Sequence, residues 1–362
     1  MASSIPTTRL DNREVWEAVR PQLERLITSG AFTLGPQVSE FEQAAARRFQ
    51  CKWCVGTSSG TSALTLALRA AQLHPGARVA IPANTFFAAV EAIVAAGYVP
   101  VIIDHDDDYL LDASMLGDLD IDAVIPVHLF GLPVNMKPLM DMAGARGWWI
   151  LEDCAQAHGA SIDGRSIGSF GHAGAFSAYP TKNLGAWGDA GFVTGSDPDV
   201  EAKIRRFRTH GQDEMNVHSE LGGSERLDTI QAIVLSEKLR RLEAEVEARR
   251  KIASWYRAAL EDTDLPLPAD RGTRLHAYHQ FVIRVPDRER IRDEMGAKGI
   301  GTAIHYPTPV HLQPAAQGVC EVPVTPKKAE EFAGQILSLP MFASLTEADV
   351  DYVATALKGA LK

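Results

Sequence analysis

Apolar residues recur at helical spacing over residues 13 to 28, where Val15, Ala18, Val19, Leu23, Leu26 and Ile27 share a face before Ser29-Gly30 stops the run. A connector over 31 to 36 leads to a second periodic stretch, 38 to 49. The pattern then changes. Short apolar runs at 53–56, 79–81, 99–103, 123–126, 148–151 and 173–179 read as buried strands, and helical stretches at 63–71, 88–96 and 136–146 fall between them. Such alternation predicts an α/β fold, a mostly parallel sheet with helices on both faces. Residues 227 to 260 carry helical periodicity with dense charge, a long amphipathic helix whose basic residues, Arg249 among them, read as a solvated face. After an irregular stretch rich in proline, aspartate and glycine at 265–272 come a strand (278–285), a helix (288–298), a strand (301–305) and helices at 327–336 and 347–357. The expected organisation is a three-layer large domain, 1–245, and a smaller C-terminal α/β domain, 246–362.

Composition narrows the functions open to such a chain. With 362 residues, 46% hydrophobic and 23% charged, the chain can bury a sizeable core. A formal charge of −10 gives no basic footprint for nucleic acid or an anionic membrane, so the expected partners are small molecules. The longest apolar region, 86–103, is broken by Glu91, Gly97 and Pro100 and does not read as a membrane span. No basic-then-apolar leader opens the sequence, and four cysteines make no disulfide framework, which points to a reducing compartment. Cys51 and Cys54 form a C-x-x-C, but no second pair or nearby histidines follow, so they read as strand residues and no metal is expected.

Four places carry candidate chemistry. Pro180 breaks the apolar run 173–179 and delivers Lys182 into a loop punctuated by Gly185, Gly188 and Gly191. At a strand's carboxyl end Lys182 could form a Schiff base with a carbonyl compound; alone, it could equally be a solvated lysine. Asp153 follows a fully apolar strand, an expensive position for a carboxylate without a partner, and is either a helix cap or an anion set to hold a cation. Ser59, Gly60 and Thr61 lie between a strand and a helix, where free N–H groups make an anion site and serines also serve as plain caps. Phe86, just past a strand end, is either core packing or the cover of a flat ring.

Taken in order, Leu34-Gly35-Pro36, Ser58-Ser59-Gly60-Thr61, Pro82-Ala83-Asn84-Thr85-Phe86, Pro126-Val127-His128-Leu129, the stretch from Glu152 to Gly159, Tyr179-Pro180-Thr181-Lys182-Asn183-Leu184-Gly185 and His305-Tyr306-Pro307 resemble the pyridoxal-phosphate-dependent sugar aminotransferases of the DegT/DnrJ/EryC1/StrS family, within the type I, aspartate aminotransferase fold. The resemblance covers nearly the whole chain. It implies that Lys182 carries the cofactor aldehyde and later moves the proton. By the same resemblance Asp153 bonds the pyridine nitrogen, Gln156 sits beside the phenolic oxygen and Phe86 covers the ring. Ser59, Gly60, Thr61 and Ser177 would hold the phosphate. Thr33, His158, Arg226, His305, Tyr306 and His311 would border the substrate. The family reads Gly-x-Asn-x-Arg-Leu before its next helix, with the asparagine reaching the partner subunit's phosphate; here the same stretch is Gly222-Gly223-Ser224-Glu225-Arg226-Leu227, so Ser224 takes that place with a shorter reach. Ala190, after Asp189, replaces a family glycine.

The resemblance further implies a cytoplasmic homodimer with shared sites. It would move an amino group, with L-glutamate as donor, onto a keto sugar linked to a nucleoside diphosphate. The run from His305 to Leu312 is most similar to enzymes acting at C-3 of a dTDP-linked 3-keto-6-deoxyhexose. A C-4 sugar-nucleotide enzyme, a cyclitol aminotransferase and a non-catalytic regulatory protein on the same scaffold stay open. A dehydratase of this fold carries histidine where Lys182 stands.

Overall fold

The structure, a computed structural model, describes residues 4–362; residues 1–3, part of the stretch read for a leader, lie outside the described residues. Its centre is a seven-stranded sheet built from β1 (Trp53–Thr57), β2 (Arg78–Pro82), β3 (Val99–Ile103), β4 (Ala123–Val124), β5 (Trp149–Asp153), β6 (Ala173–Ser177) and β7 (Gly191–Gly195). The spatial order is β1-β7-β6-β5-β4-β2-β3. All neighbours run parallel except β7, which is antiparallel to both β6 and β1. The α/β expectation holds, and the reversed strand is the addition to it.

Strand side chains alternate between two cores. On one face Val55, Ala175 and Val193 pack beneath α3 (Gly60–Ala70) and α4 (Ala88–Ala95). On the other, Cys54, Phe176 and Phe192 pack against α2 (Pro36–Arg48) and the first half of α7 (Thr229–Ala259). Phe176 and Phe192 stack at 4.6 Å, and Phe41 and Phe49 close around them, all at most 1% exposed. Burying each such ring contributes about 1.5–3 kcal/mol before conformational entropy is counted.

The smaller unit pairs β8 (Phe281–Arg284) antiparallel with β9 (Ile336–Leu339) and packs them with α8 (Arg288–Ala297), α10 (Glu347–Ala360) and the end of α7. The dividing point suggested at 245/246 falls inside α7, an unbroken 31-residue helix. Ile5 also leaves the large domain, bridging to Ile300 and packing into the small-domain core. Two other expectations change. Residues 301–305 form no strand, since only Ala303 bridges, to Ser338. The helix begun at Lys327 ends at Ala333, because Gly334 follows and Ile336 enters β9.

Candidate functional site

The carboxyl ends of β1, β5 and β6 lie along one edge of the sheet, the usual place for a ligand in parallel α/β proteins. Asp153 is the last residue of β5 and pairs in register with Ala175 of β6. Beyond β6 the chain turns at Pro180: the Ala186 N–H donates to the Ala178 carbonyl at 2.8 Å and the Lys182 N–H to the Tyr179 carbonyl at 2.9 Å, which folds Lys182 back over the sheet edge. On the far side Ser59 caps α3, its Oγ accepting the Ser62 N–H at 3.0 Å. That leaves the N–H groups of Gly60 and Thr61, in the helix's first turn, without intrahelical partners. Two glycines permit the approach. A Cβ on Gly60 would lie 2.5 Å from Ser177 Cβ, and one on Gly191 would lie 2.3 Å from the Ser59 carbonyl oxygen.

These segments enclose a cavity of about 430 Å³ whose wall includes Ser59, Gly60, Thr61, Phe86, Asp153, Gln156, Ser177, Lys182, His305 and Tyr306. Asp153 is 6% exposed and accepts the Ala155 N–H at 3.0 Å. Burial pushes its carboxyl up, opposed by that N–H, by Lys182 and by His128. Burial also pushes the Lys182 ammonium down to about 8, with Asp153 acting against it. Gln156 is locked at both ends: Oε1 accepts the Phe130 N–H at 2.7 Å and Nε2 donates to Tyr306 Oη at 3.0 Å. The Phe86 and Tyr306 rings lie 5.8 Å apart. His305 Nδ1 is 2.8 Å from Ser338 Oγ, and burial pulls its imidazole down to about 4, so it stays neutral.

Four residues expected here, His158, His311, Thr33 and Arg226, lie elsewhere, and Ser224, expected at the partner subunit's phosphate, lies outside this cavity too. His158 is fully enclosed, its ring 5.3 Å from that of Phe176 and 6.1 Å from that of Phe192, and burial holds it down near 3. It packs behind β6 and can meet no substrate in this arrangement. His311 faces away, its Nε2 3.0 Å from Glu330 Oε1. Thr33 is exposed and bridges to Asp228. Ser224, exposed, accepts from Arg226 Nη2 at 2.9 Å, and Arg226 bridges to Thr57. None of the five lines this chain's own cavity.

The cluster of His128, Glu152 and Cys154 has metal-like proximity but its atoms are engaged. Glu152 Oε1 accepts the Phe170 and Gly171 N–H groups at 2.7 Å, and Oε2 accepts the Gly168 N–H at 2.8 Å and lies 3.1 Å from His128 Nε2. His128 Nδ1 in turn accepts the Val134 N–H at 3.0 Å. Cys51 Sγ lies 3.3 Å from the Phe49 and Gly168 carbonyls, and burial pushes its thiol up to about 11.

Sequence reasoning missed two features. His279 lines the cavity, with Nδ1 3.3 Å from Asn183 Oδ1; because Asn183 Nδ2 donates to the Ala277 carbonyl, its oxygen must face the ring and Nδ1 is the donor. A lone histidine in an apolar strand carries no signal of this. Behind the Lys182 loop lies a second cavity, about 750 Å³, whose wall includes Arg13, Lys238, Arg241 and Arg249 together with Asp11, Glu14 and Glu245. The solvated-face expectation for the basic run fails at Arg249, while Arg240 and Lys251 are exposed as expected. Arg249 is 6% exposed and spends Nη1 on the carbonyls of Tyr278, His279 and Met341 at 3.2–3.4 Å; the helix turns it inward between the two domains.

A cavity that pairs a buried carboxylate with a lysine of lowered basicity, beside a helix N-terminus and an exposed phenyl ring, has the parts a pyridoxal phosphate site requires. Comparison with known sequences settles the kinship: the profile of the DegT/DnrJ/EryC1/StrS aminotransferase family matches residues 15–358. The chain belongs to that family. Members of the DegT/DnrJ/EryC1/StrS family are pyridoxal-phosphate-dependent transaminases, and the chain is an aminotransferase of this type. It is 39% identical over 345 residues (93% of this chain, 92% of the relative) to a UDP-N-acetyl-3-dehydro-alpha-D-glucosamine 3-aminotransferase of Acidithiobacillus ferrooxidans. It is 36% identical over 353 residues (94% and 93%) to the dTDP-3-amino-3,4,6-trideoxy-alpha-D-glucose transaminase of Streptomyces venezuelae. Among solved structures, S. venezuelae DesV in complex with a ketimine intermediate superposes with a TM-score of 0.93 at 35% identity over all of both chains.

Proposed function

We propose that the chain transfers an amino group from an amino acid, L-glutamate, to C-3 of a keto sugar carried on a nucleoside diphosphate. The coarser part, an aminotransferase for nucleotide-linked sugars, stands on the names of both relatives. The finer choice of a dTDP-linked 3-keto-6-deoxyhexose is supported by the second relative and by the run from His305 to Leu312, whereas the first relative is named for a UDP sugar.

The observation that carries the mechanism is Asp153 and Lys182 on the wall of one cavity, each perturbed by burial and each favouring the other's charge. When bound, the cofactor supplies an aldehyde for exchange with amines and a ring that takes up the electron pair left by deprotonation at the amino carbon. Asp153 would hold the ring nitrogen protonated; a buried carboxyl disfavoured as an anion alone becomes a stable anion once a cation faces it. Phe86 would cover the ring. The Gln156 Nε2 hydrogen not given to Tyr306 is free for the phenolic oxygen. Gly60, Thr61 and Ser177 would hold the phosphate through N–H and hydroxyl donors at the start of α3. Lys182, its ammonium pushed down to about 8 by burial, would move the proton between cofactor and substrate carbons. His305 and Tyr306, on the same wall, would orient the sugar. The adjoining cavity carries Lys238 and Arg241 but also Glu14 and Glu245, and Arg241 is paired with Glu14 and Glu237, so its wall is of mixed charge. The chain would act as a homodimer, with Thr33, Ser224 and Arg226 presented to the partner's site and not to their own. The division of labour follows the proposed domains, 1–245 holding the cofactor and 246–362 closing on the substrate.

Borohydride reduction of the enzyme loaded with pyridoxal phosphate should fix the cofactor onto Lys182, seen by peptide mass spectrometry. An unmodified Lys182 after reduction would sink the mechanism. Binding of a panel of nucleotide sugars, with product structure from the one turned over, tests the choice of sugar and carbon.

A further inference from the structure

The loop from Gly222 to Leu227 departs from the family pattern at Ser224, and the residue after it, Glu225, does something the pattern does not explain. Glu225 Oε2 accepts from Ser58 Oγ at 2.7 Å and from Ser62 Oγ, and the two hydroxyls lie 2.8 Å apart. The Ser58 N–H donates to the Glu225 carbonyl at 3.0 Å, and the Glu225 N–H to the Arg208 carbonyl at 3.0 Å. Arg208 is itself 7% exposed and bound to Glu42 and the Gly56 carbonyl. Glu225 therefore grips residues 58 and 62 from behind, anchored to a buried ion pair.

Between those grips lie Ser59, Gly60 and Thr61. With the carboxylate as a common acceptor, the Ser58 and Ser62 hydroxyl hydrogens turn toward it, and Ser59 Oγ donates to Ser62 Oγ at 3.0 Å while accepting the Ser62 N–H. Ser59 is thus closed on its own helix. The donors left facing the cavity are the Gly60 and Thr61 N–H groups, with the Thr61 and Ser177 hydroxyls. We propose that Glu225 is a positioning residue for the cofactor phosphate: it clamps the β1–α3 turn so that the Gly60 and Thr61 N–H groups are fixed before the phosphate arrives. The inference rests on the pyridoxal phosphate reading. A carboxylate near a helix N-terminus also competes electrostatically with a phosphate. The bonds on both sides of the turn decide for preorganisation, which lowers the ordering cost of binding.

The test measures dissociation constants of pyridoxal phosphate and of pyridoxal, which lacks the phosphate, by absorbance titration of the full-length apoenzyme. Glu225→Ala should weaken pyridoxal phosphate roughly tenfold, the loss expected from a few net hydrogen bonds, and leave pyridoxal unchanged. Glu225→Gln, whose carbonyl oxygen can still accept both hydroxyls, should stay within about threefold of wild type. Equal or tighter binding of pyridoxal phosphate by Glu225→Ala would overturn the proposal, as would an equal loss for pyridoxal. If Glu225→Ala does not fold, the Ser58→Ala/Ser62→Ala double variant removes the clamp from the other side and must reproduce the selective loss. Wild-type protein that binds no pyridoxal phosphate would overturn the cofactor reading, and this one with it.

Discussion

Burial at Lys182 sets a pH dependence that an exposed lysine would not have. Its ammonium is pushed from 10.5 down to about 8, and the neutral amine is the form that attacks an aldehyde. The rate at which apoenzyme captures pyridoxal phosphate should climb about tenfold per pH unit below 8 and level off above it. Stopped-flow absorbance from pH 6 to 10 would show this, and a rate still climbing at pH 10 would refute the burial argument. The same shift bears on stability: between about 8 and 10.5 the unfolded chain holds this proton and the folded one does not, so this group makes the fold more stable as pH rises through that window. At this scale the sequence was readable wherever cost exposed a residue. A carboxylate after an apolar strand is costly without a partner, and Asp153 accepts the Ala155 N–H and shares the cavity wall with Lys182. His279 gave no such sign, because its place depends on Asn183 being held by Ala277 across 94 residues. His158 fails in the other direction. It sits within a cofactor motif, yet the alternation of β6 sends Phe176 into the same core and encloses the imidazole with it.

Among the elements, the joint of α2, β1 and the helix Pro198–Phe207 (α6) turns on one buried carboxylate. Glu42 is 4% exposed; Oε1 accepts the Gly56 N–H at 2.8 Å and Arg208 Nη1 at 2.6 Å, and Oε2 accepts Arg205 Nη1 at 2.8 Å. Glu42→Ala would strand Arg208 in the interior and should cost about 3–5 kcal/mol in urea unfolding. A loss under about 1 kcal/mol would mean that water or a shifted side chain takes over. Elements with strong periodicity or clean punctuation were legible in the sequence: β3 and the helix Met136–Arg146 lie where the pattern puts them. Those closed by glycine or made by long-range pairing were not. β7, Gly-Phe-Val-Thr-Gly, is a strand because β1 and β6 flank it, and β9 begins three residues after the end of a helix whose periodicity runs on past its end.

For the molecule as a whole, one group of exposed apolar side chains gathers around the Lys182 loop. Trp16 and Ile27 on the helix Arg13–Ser29 (α1), Phe32 and Leu34 in the loop after it, and Ile230 at the start of α7 are 38–71% exposed. They surround a small core of Val15, Val19, Leu26, Ile233 and Val234, with Trp187 of the Lys182 loop packed on it and its ring 6.3 Å from that of Trp16. Thr33 bridges to Asp228 beside this patch, and Phe86 and Tyr179 stand 60% and 51% exposed at the cavity rim. Exposed apolar side chains grouped around one small core point to an interaction surface. A second copy of the chain is the partner that would also explain why Thr33, Ser224 and Arg226 turn away from their own cavity. Sedimentation should therefore find twice the chain mass at micromolar concentration. Ile27→Asp, on the face of α1 turned from its own core, should shift the protein to the single-chain mass and cost activity while leaving the far-ultraviolet circular dichroism unchanged. Wild-type protein that sediments as one chain with full activity would refute the shared site, and would leave Ser224 and Arg226 with no role in catalysis.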